Sequence, residues 1–209
     1  MSNGKKKSSV AEIYQIKVRL LRTKPPIRRR LRVPAHLSLA NLHDVLQSAM
    51  GWDNCHLHEF RVGGETYGQP DQLDDVSDER KIRLHQALGQ VGAKAVYTYD
   101  FGDGWEHAVL LEKRLTSAPG VVYPMCTGGR GACPPEDCGG IGGFYELVDA
   151  LQDPDPERRE EMLDWAGEYD PEVFSVEVAP LWSSAALYIF SDLANRKKPK
   201  RIKDADERG

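Results

Sequence analysis

The chain has 209 residues, of which 40% are hydrophobic and 29% are charged, as is typical of a globular protein. It has no apolar run near the ~20 residues of a membrane span and no apolar segment behind its basic N-terminus, MSNGKKKSSV, so membrane and secreted proteins are not expected. We therefore expect a cytoplasmic protein in which the four cysteines are thiols or metal ligands rather than disulfides.

The net charge of −4 conceals a segregation of charge along the chain. Eleven of the 28 Lys and Arg residues lie in residues 1–33 and six lie in residues 196–203, whereas residues 34–195 carry a net charge of −18. An acidic body of this kind repels nucleic acid, so the basic ends are the expected contacts for a nucleic-acid partner.

The first predicted elements are a lead-in and a β-hairpin. Residues 1–11 have no hydrophobic periodicity and predict a disordered segment. Apolar residues then alternate with polar ones up to Leu20, and after a Thr-Lys-Pro-Pro turn the alternation resumes up to Val33, which predicts two paired strands. Arg29 falls on the apolar face of the hairpin, where it needs a buried carboxylate. The other face is a predicted nucleic-acid interface, because arginine suits phosphate, and its cations are Lys17, Arg19, Arg28, Arg30 and Arg32.

Further elements follow in chain order. Ser38 and Gly51 are the predicted caps of a helix, a strand is expected within residues 56–64, and residues 69–80 predict a polar loop. Two more strands flank a Gly-Asp-Gly turn at residues 102–104, and three helices are expected after residue 140. This order predicts an α+β fold, in which helices pack on a mostly antiparallel sheet. We expect one domain over residues 12–195, followed by a charged disordered tail at 196–209.

Three fragments carry a resemblance to a known family: KPPIRRRLRVPAHLSLANLHDVLQSAMGWDNCHLHEF, YDFGDGWEH and CPPEDCGGIGGFYELVDAL. Together they resemble the plasmid pRiA4b ORF-3-like family over roughly residues 12–178. The resemblance implies an α+β fold and an association with mobile elements, since members often carry the name TnpR, but it implies no particular reaction. The family usually has PPIWRR where this chain has Arg28, which lengthens the basic face.

The stretch YPMCTGGRGACPPEDCGG, residues 123–140, contains three of the four cysteines. Its glycines and prolines favour a structured loop, and we expect this loop to pack against HLHEF and DFGDGWEH. Two interpretations of the thiols stay open. Either they pack as small hydrophobic side chains, or they bind zinc, which prefers four tetrahedral nitrogen or sulfur donors. The predicted zinc ligands are Cys126, Cys133 and Cys138 with one fourth donor. Cys55, His56, His58 and His107 are the candidates for that position, and we select His56.

Two functions are compatible with these features. The first is a non-enzymatic binding or accessory module of a mobile element that acts through contacts with protein or nucleic acid. The second is a metal-dependent hydrolase, which would require an acid/base or hard-metal set to converge on one open pocket. The residues of that set are His58, Asp100, Asp103, Glu106 and His107. The DFG at residues 100–102 does not indicate a kinase, because no glycine-rich loop or HRD-like loop precedes it.

Overall fold

The computed structural model describes residues 11–155, 160, 162–164, 166–167 and 169–174. Eight strands within these ranges form one sheet in the order β5-β4-β3-β6-β7-β1-β2-β8. All neighbouring strands are antiparallel except the short β4–β5 pair. The strands are β1 Glu12–Leu20, β2 Arg28–Pro34, β3 His58–Val62, β4 Glu65–Gly68, β5 Ser77–Asp78, β6 Lys94–Tyr99, β7 Trp105–Thr116 and β8 Met125–Arg130.

Helices accompany the sheet as α1 Leu39–Met50, α2 Leu84–Ala87 and α3 Gly140–Leu151. No helix in the described part of the chain is long and apolar enough to cross a membrane. The expected α+β class with a mostly antiparallel sheet is confirmed. Predictions for residues 1–10 and 175–209, including the last helix and the charged tail, lie outside the described residues.

One face of the sheet, which we call the inner face, carries the hydrophobic core. Alternate residues of the strands point to this face, as the period of two requires, and they share one buried cluster with apolar side chains of α1, α2 and α3. The opposite face, the outer face, carries the polar and charged residues between them. The strand contributions to the core include Tyr14, Ile16, Val18, Leu31, Val33, Phe60, Tyr97, Tyr99, Trp105, Val109 and Leu111.

Local sequence signals account for α1. The Ser38 hydroxyl accepts a hydrogen bond from the Asn41 N–H at 3.1 Å, which satisfies one of the free donors of the first turn. At the other end Gly51 adopts φ 83°, and its N–H donates to Gln47 O at 2.9 Å. A residue with a Cβ is disfavoured in that left-handed conformation. Both predicted caps are therefore confirmed.

Strand β8 and the short elements β5 and α2 are present although the sequence did not predict them. The MCTGGR sequence of β8 contains two glycines and does not alternate, so it has no strand signal. It is nevertheless a strand, because it pairs with the edge of β2 over Arg28 to Arg32. Likewise, residues 69–80 include β5, which pairs with β4 over only two residues.

Arg29 is only 4% exposed on the inner face, but its partners are not the ones expected. Its guanidinium donates to Ala49 O at 2.9 Å, to Gly131 O at 2.9 Å and to the Cys133 thiol at 2.9 Å. It also lies 4.3 Å from the ring centroid of Phe174. No carboxylate of a described residue pairs with it, so the expected buried carboxylate is not found in this part of the chain. Carbonyl dipoles and a ring face stabilise the charge instead.

Candidate functional site

The outer face of β1, β2 and β8 forms a basic face of six cations. The register places Arg19 opposite Arg28, and Arg28 opposite Arg130. These three arginines therefore form a row across strands that are about 4.8 Å apart. Arg130 is absent from the set predicted from sequence, because nothing in MCTGGR indicated a strand. The basic face consists of Lys17, Arg19, Arg28, Arg30, Arg32 and Arg130.

Among the described residues, the closest carboxylate to the basic face is that of Glu112. Glu112 Oε2 lies 2.7 Å from Arg30 Nε, and Glu112 Oε1 lies 3.9 Å from Lys17 Nζ. The hydrogen bond from Arg30 lowers the pKa of Glu112, although burial acts in the opposite direction. Within the described residues, Arg19 and Arg28 form no ion pair, and Arg130 reaches only Glu172, at 3.9 Å. The row of three arginines is thus available to an anion.

The outer-face positions beside the row are small or aliphatic. Arg19 lies opposite Ala108, and Lys17 lies opposite Leu110 of β7. The described strands place no aromatic side chain next to these cations on the outer face. Nucleobases therefore have no stacking platform on these strands, whereas phosphate groups have guanidinium donors.

The five residues predicted for a hydrolase do not converge. His58 Nε2 lies 2.8 Å from Glu79 Oε2 in the core, and Asp100 Oδ1 caps the β6–β7 turn by accepting the Gly102 N–H at 2.9 Å. Burial lowers the pKa of His107 to about 4.

The pleat of β7 separates the neighbouring pair of that set. Glu106 faces the outer side, where its Oε1 lies 2.7 Å from Arg61 Nη2. His107 faces the core and is 0% exposed. Asp103 follows in the turn after β6, and its Oδ2 is buried without a hydrogen-bond partner. The arrangement does not provide one shared open pocket, so it does not favour the hydrolase.

The three cysteines of the 123–140 segment have separate partners. The Cys126 thiol donates to Gly128 O at 3.4 Å, the Cys133 thiol to Met50 Sδ at 3.1 Å, and the Cys138 thiol to Gly140 O at 3.8 Å. Burial raises the pKa of Cys133 and of Cys138 to about 11. Within the described chain, these three thiols and His56 do not form a group whose ligand atoms all lie within 4.8 Å of one another. Their geometry is that of packed thiols.

His56 has other potential ligands around it. Its side chain belongs to two groups whose ligand atoms lie within 4.8 Å of one another, one with Cys55 and Glu136 and the other with Asp100 and Asp137. Cys55, Glu136 and Asp137 are absent from the predicted metal set. The signal that could have found them is their place in the fragments that carry the family resemblance.

The contacts of the 123–140 segment confirm that it packs against the predicted motifs. Trp52 Nε1 donates to Pro134 O at 2.9 Å, and the Tyr99 hydroxyl donates to Glu136. His56 Nε2 lies 3.0 Å from Asp137 Oδ1. At the start of α3, Gly140 has φ 67°, and a Cβ there would lie 2.5 Å from Asp103 O. Only glycine allows this approach of the segment to the DFGDGWEH turn.

A buried histidine pair lies between α1 and β3. The rings of His43 and His58 stack with centroids 3.5 Å apart and an interplanar angle of 4°. His43 Nδ1 lies 2.7 Å from the Tyr97 hydroxyl, and His43 Nε2 lies 2.6 Å from Asn54 Oδ1. Burial, together with the neighbouring His58, lowers the pKa of His43 to about 3. His43 is therefore neutral at physiological pH, and the stacked pair is part of the packed core.

The sequence and the fold match known proteins. A profile of the family described as plasmid pRiA4b ORF-3-like protein matches residues 12–178. The chain is 45% identical over 164 residues to the uncharacterised protein y4hQ of Sinorhizobium fredii, in an alignment that covers 77% of this chain and 84% of the relative. The crystal structure of MM3350, a protein of unknown function from Methanosarcina mazei, aligns with a TM-score of 0.74 at 36% identity, covering 80% of this chain and 97% of that chain.

Proposed function

The chain belongs to the plasmid pRiA4b ORF-3-like family, and we propose that it is a non-enzymatic binding module that holds the phosphate backbone of nucleic acid on its basic face. In this proposal the module is an accessory protein of a plasmid or another mobile element. The observation that carries the proposal is the row of Arg19, Arg28 and Arg130 across three neighbouring strands.

Like charges directly opposite each other destabilise a sheet. The arginine row contains two such pairs, Arg19 with Arg28 and Arg28 with Arg130, and no carboxylate of a described residue separates them. A bound polyanion would relieve this repulsion. Guanidinium groups also suit the task because they bind phosphate in a bidentate manner and remain charged at every physiological pH.

The charge of the remaining chain would orient the partner. Because residues 34–195 carry a net charge of −18, a polyanion is repelled from most of the body and attracted to the basic face and the chain ends. The absence of neighbouring aromatic side chains on the described outer face leaves phosphate contacts as the main source of affinity, and phosphate contacts carry no sequence information. We therefore expect binding that is indifferent to sequence and strongly dependent on salt.

Fluorescence polarisation with a short labelled DNA duplex, over a series of salt concentrations, tests the proposal. Each phosphate contact contributes about 0.9 to the slope of log K against log salt for duplex DNA. The triple variant Arg19→Gln, Arg28→Gln, Arg130→Gln is expected to reduce that slope by about 2.7. A single strand and an RNA duplex, measured in parallel, should show a reduction in the same direction.

Two full-length variants are matched controls. Arg61→Gln, Lys94→Gln, Lys113→Gln removes the same charge from β3, β6 and β7 of the outer face, outside the arginine row, and it should leave most of the slope intact. Lys5→Gln, Lys6→Gln, Lys7→Gln tests the basic N-terminal end in the same way. Equal losses in the row variant and the outer-face control would refute a specific role of the arginine row. Loss confined to the N-terminal variant would assign binding to the chain end, and no binding at low salt would overturn the proposal.

A further inference from the structure

We propose that Cys55, His56 and Glu136 bind a divalent transition-metal ion of the zinc type. The three side chains meet where the segment after α1 approaches the loop between β8 and α3, and their ligand atoms lie within 4.8 Å of one another. This site is separate from the basic face. Of the four zinc ligands expected from the sequence, it keeps only His56.

The spacing of the donor atoms suits a zinc ion. Donors that lie 2.0–2.3 Å from zinc at tetrahedral angles are about 3.3–3.8 Å from one another. Cys55 Sγ lies 3.6 Å from Glu136 Oε1. On the His56 imidazole, Nε2 lies 3.0 Å from Asp137 Oδ1 and 3.8 Å from Asp100 Oδ2. Only small side-chain movements would be needed for Cys55, His56 and Glu136 to surround an ion, with a water molecule as a further ligand.

Neighbouring groups hold the donors in place. Glu136 Oε2 accepts the Asp53 N–H at 2.6 Å, and Glu136 Oε1 accepts the Tyr99 hydroxyl. The Tyr99 oxygen in turn accepts the Cys55 N–H at 3.1 Å. Such outer contacts orient metal ligands and commonly strengthen binding. The site is thus built from two segments that are joined before any ion arrives.

The local charge favours a cation. Among the described residues, Glu136, Asp137 and Asp100 have no Lys or Arg partner, and His56 is the only side chain with a basic group that approaches two of them. His56 Nε2 is itself buried without a hydrogen bond, although Asp137 Oδ1 lies 3.0 Å away. Asp103, in the adjacent turn, also has a buried oxygen without a partner. A divalent ion would compensate this excess of negative charge.

The donor types select the class of metal. Calcium and magnesium prefer sets made only of oxygen ligands, whereas a thiolate together with an imidazole favours zinc or cobalt. Binding would require the Cys55 thiol to release a proton, because the thiolate is the ligand. Three protein donors leave a fourth coordination position for water.

Titration of the full-length, tag-free protein with cobalt(II) tests the site, after treatment with a chelator and its removal. We expect one equivalent to produce a thiolate-to-cobalt absorption band, and zinc to abolish that band by competition. Cys55→Ser should remove the band, and Glu136→Gln should weaken binding by more than about tenfold. Glu136→Gln keeps an acceptor for Tyr99, so folding should persist, and circular dichroism of each variant verifies it.

Cys126→Ser and Cys133→Ser are the matched controls, because each removes a thiol outside the proposed site. Both should retain the cobalt band. If the band depends on Cys126 or Cys133 and not on Cys55, the ligand set expected from the sequence is correct and this proposal is overturned. The absence of any thiolate band in the wild-type protein also overturns it. Neither result affects the arginine row, which is measured without added metal.

Discussion

Two adjacent glycines at the start of α3 give opposite predictions for the same substitution. A Cβ at Gly142 would meet no atom within 4 Å, whereas a Cβ at Gly143 would lie 1.6 Å from the carbonyl oxygen of Cys138. Gly142 is exposed, and Gly143 faces the loop that precedes the helix. The pair therefore separates helix propensity from steric fit within one turn.

The expected magnitudes follow from these two environments. Alanine is favoured over glycine inside a helix by about 0.5–1 kcal/mol, so Gly142→Ala should raise the free energy of unfolding by about that amount. Gly143→Ala gains the same stabilisation, but the overlap involves a backbone atom that cannot rotate away. Overpacking costs about 1–3 kcal/mol. Because the 1.6 Å approach to a backbone oxygen places this cost at the upper end of that range or above, the net effect should be a loss of at least about 2 kcal/mol, with displacement of the loop that holds Glu136 and Asp137.

Urea unfolding followed by circular dichroism measures both variants. The midpoint should rise for Gly142→Ala and fall for Gly143→Ala, and the m-value should stay unchanged, because the surface exposed on unfolding is the same. Shifts of the same sign and similar size would refute the placement of the Cys138 carbonyl against α3. Cobalt titration gives a second readout, since only Gly143→Ala should weaken the proposed metal site.

Three further substitutions test other parts of the fold. Arg28→Trp, at an exposed position of β2, should change stability by less than about 0.5 kcal/mol; a loss of several kcal/mol in urea would contradict the strand register. Arg29→Lys should cost about 2–4 kcal/mol, because one ammonium cannot replace a planar guanidinium that donates to several backbone carbonyls and a thiol; unchanged stability would contradict those contacts. The pKa of His43 is lowered to about 3. The stabilisation from its buried neutral form is therefore complete above about pH 6.5. As the pH falls towards 3, the free energy of unfolding decreases by up to about 1.4 kcal/mol per pH unit. Relative to His43→Gln, the wild type should therefore lose stability on acidification. Asp44, whose pKa is raised to about 6, has the opposite effect, but that effect is common to both proteins. The control His85→Gln, at an exposed position, should show no such difference from wild type.

Features with local signals could be predicted from the sequence. The β1–β2 hairpin follows from alternation and a Pro-Pro turn, and α1 follows from its apolar stripe between Ser38 and Gly51. In each case the residues that determine the structure lie within one element, so propensity and packing favour the same conformation. The five positions of the basic face on β1 and β2 followed from the same alternation.

Features that depend on distant pairing could not be predicted in this way. Strand β8 exists because β2 offers an unpaired edge, and no residue of MCTGGR indicates it. The partners of buried polar groups are equally distant in the sequence. Glu79 satisfies His58 from 21 residues away, and Glu136 is joined to Tyr99 from 37 residues away. Composition gives the number of such groups but not their pairing, which only the folded topology determines.

The 123–140 segment places its cysteines in different surroundings. Strand pairing places Cys126 opposite Leu31, so its thiol joins the core, while Cys138 lies beyond two prolines at the entrance to α3. The same segment also supplies Arg130 to the outer face and Glu136 to the loop beside His56. The backbone path of this one segment therefore positions both Arg130 and Glu136. The proposed anion site and the proposed cation site depend on that same path.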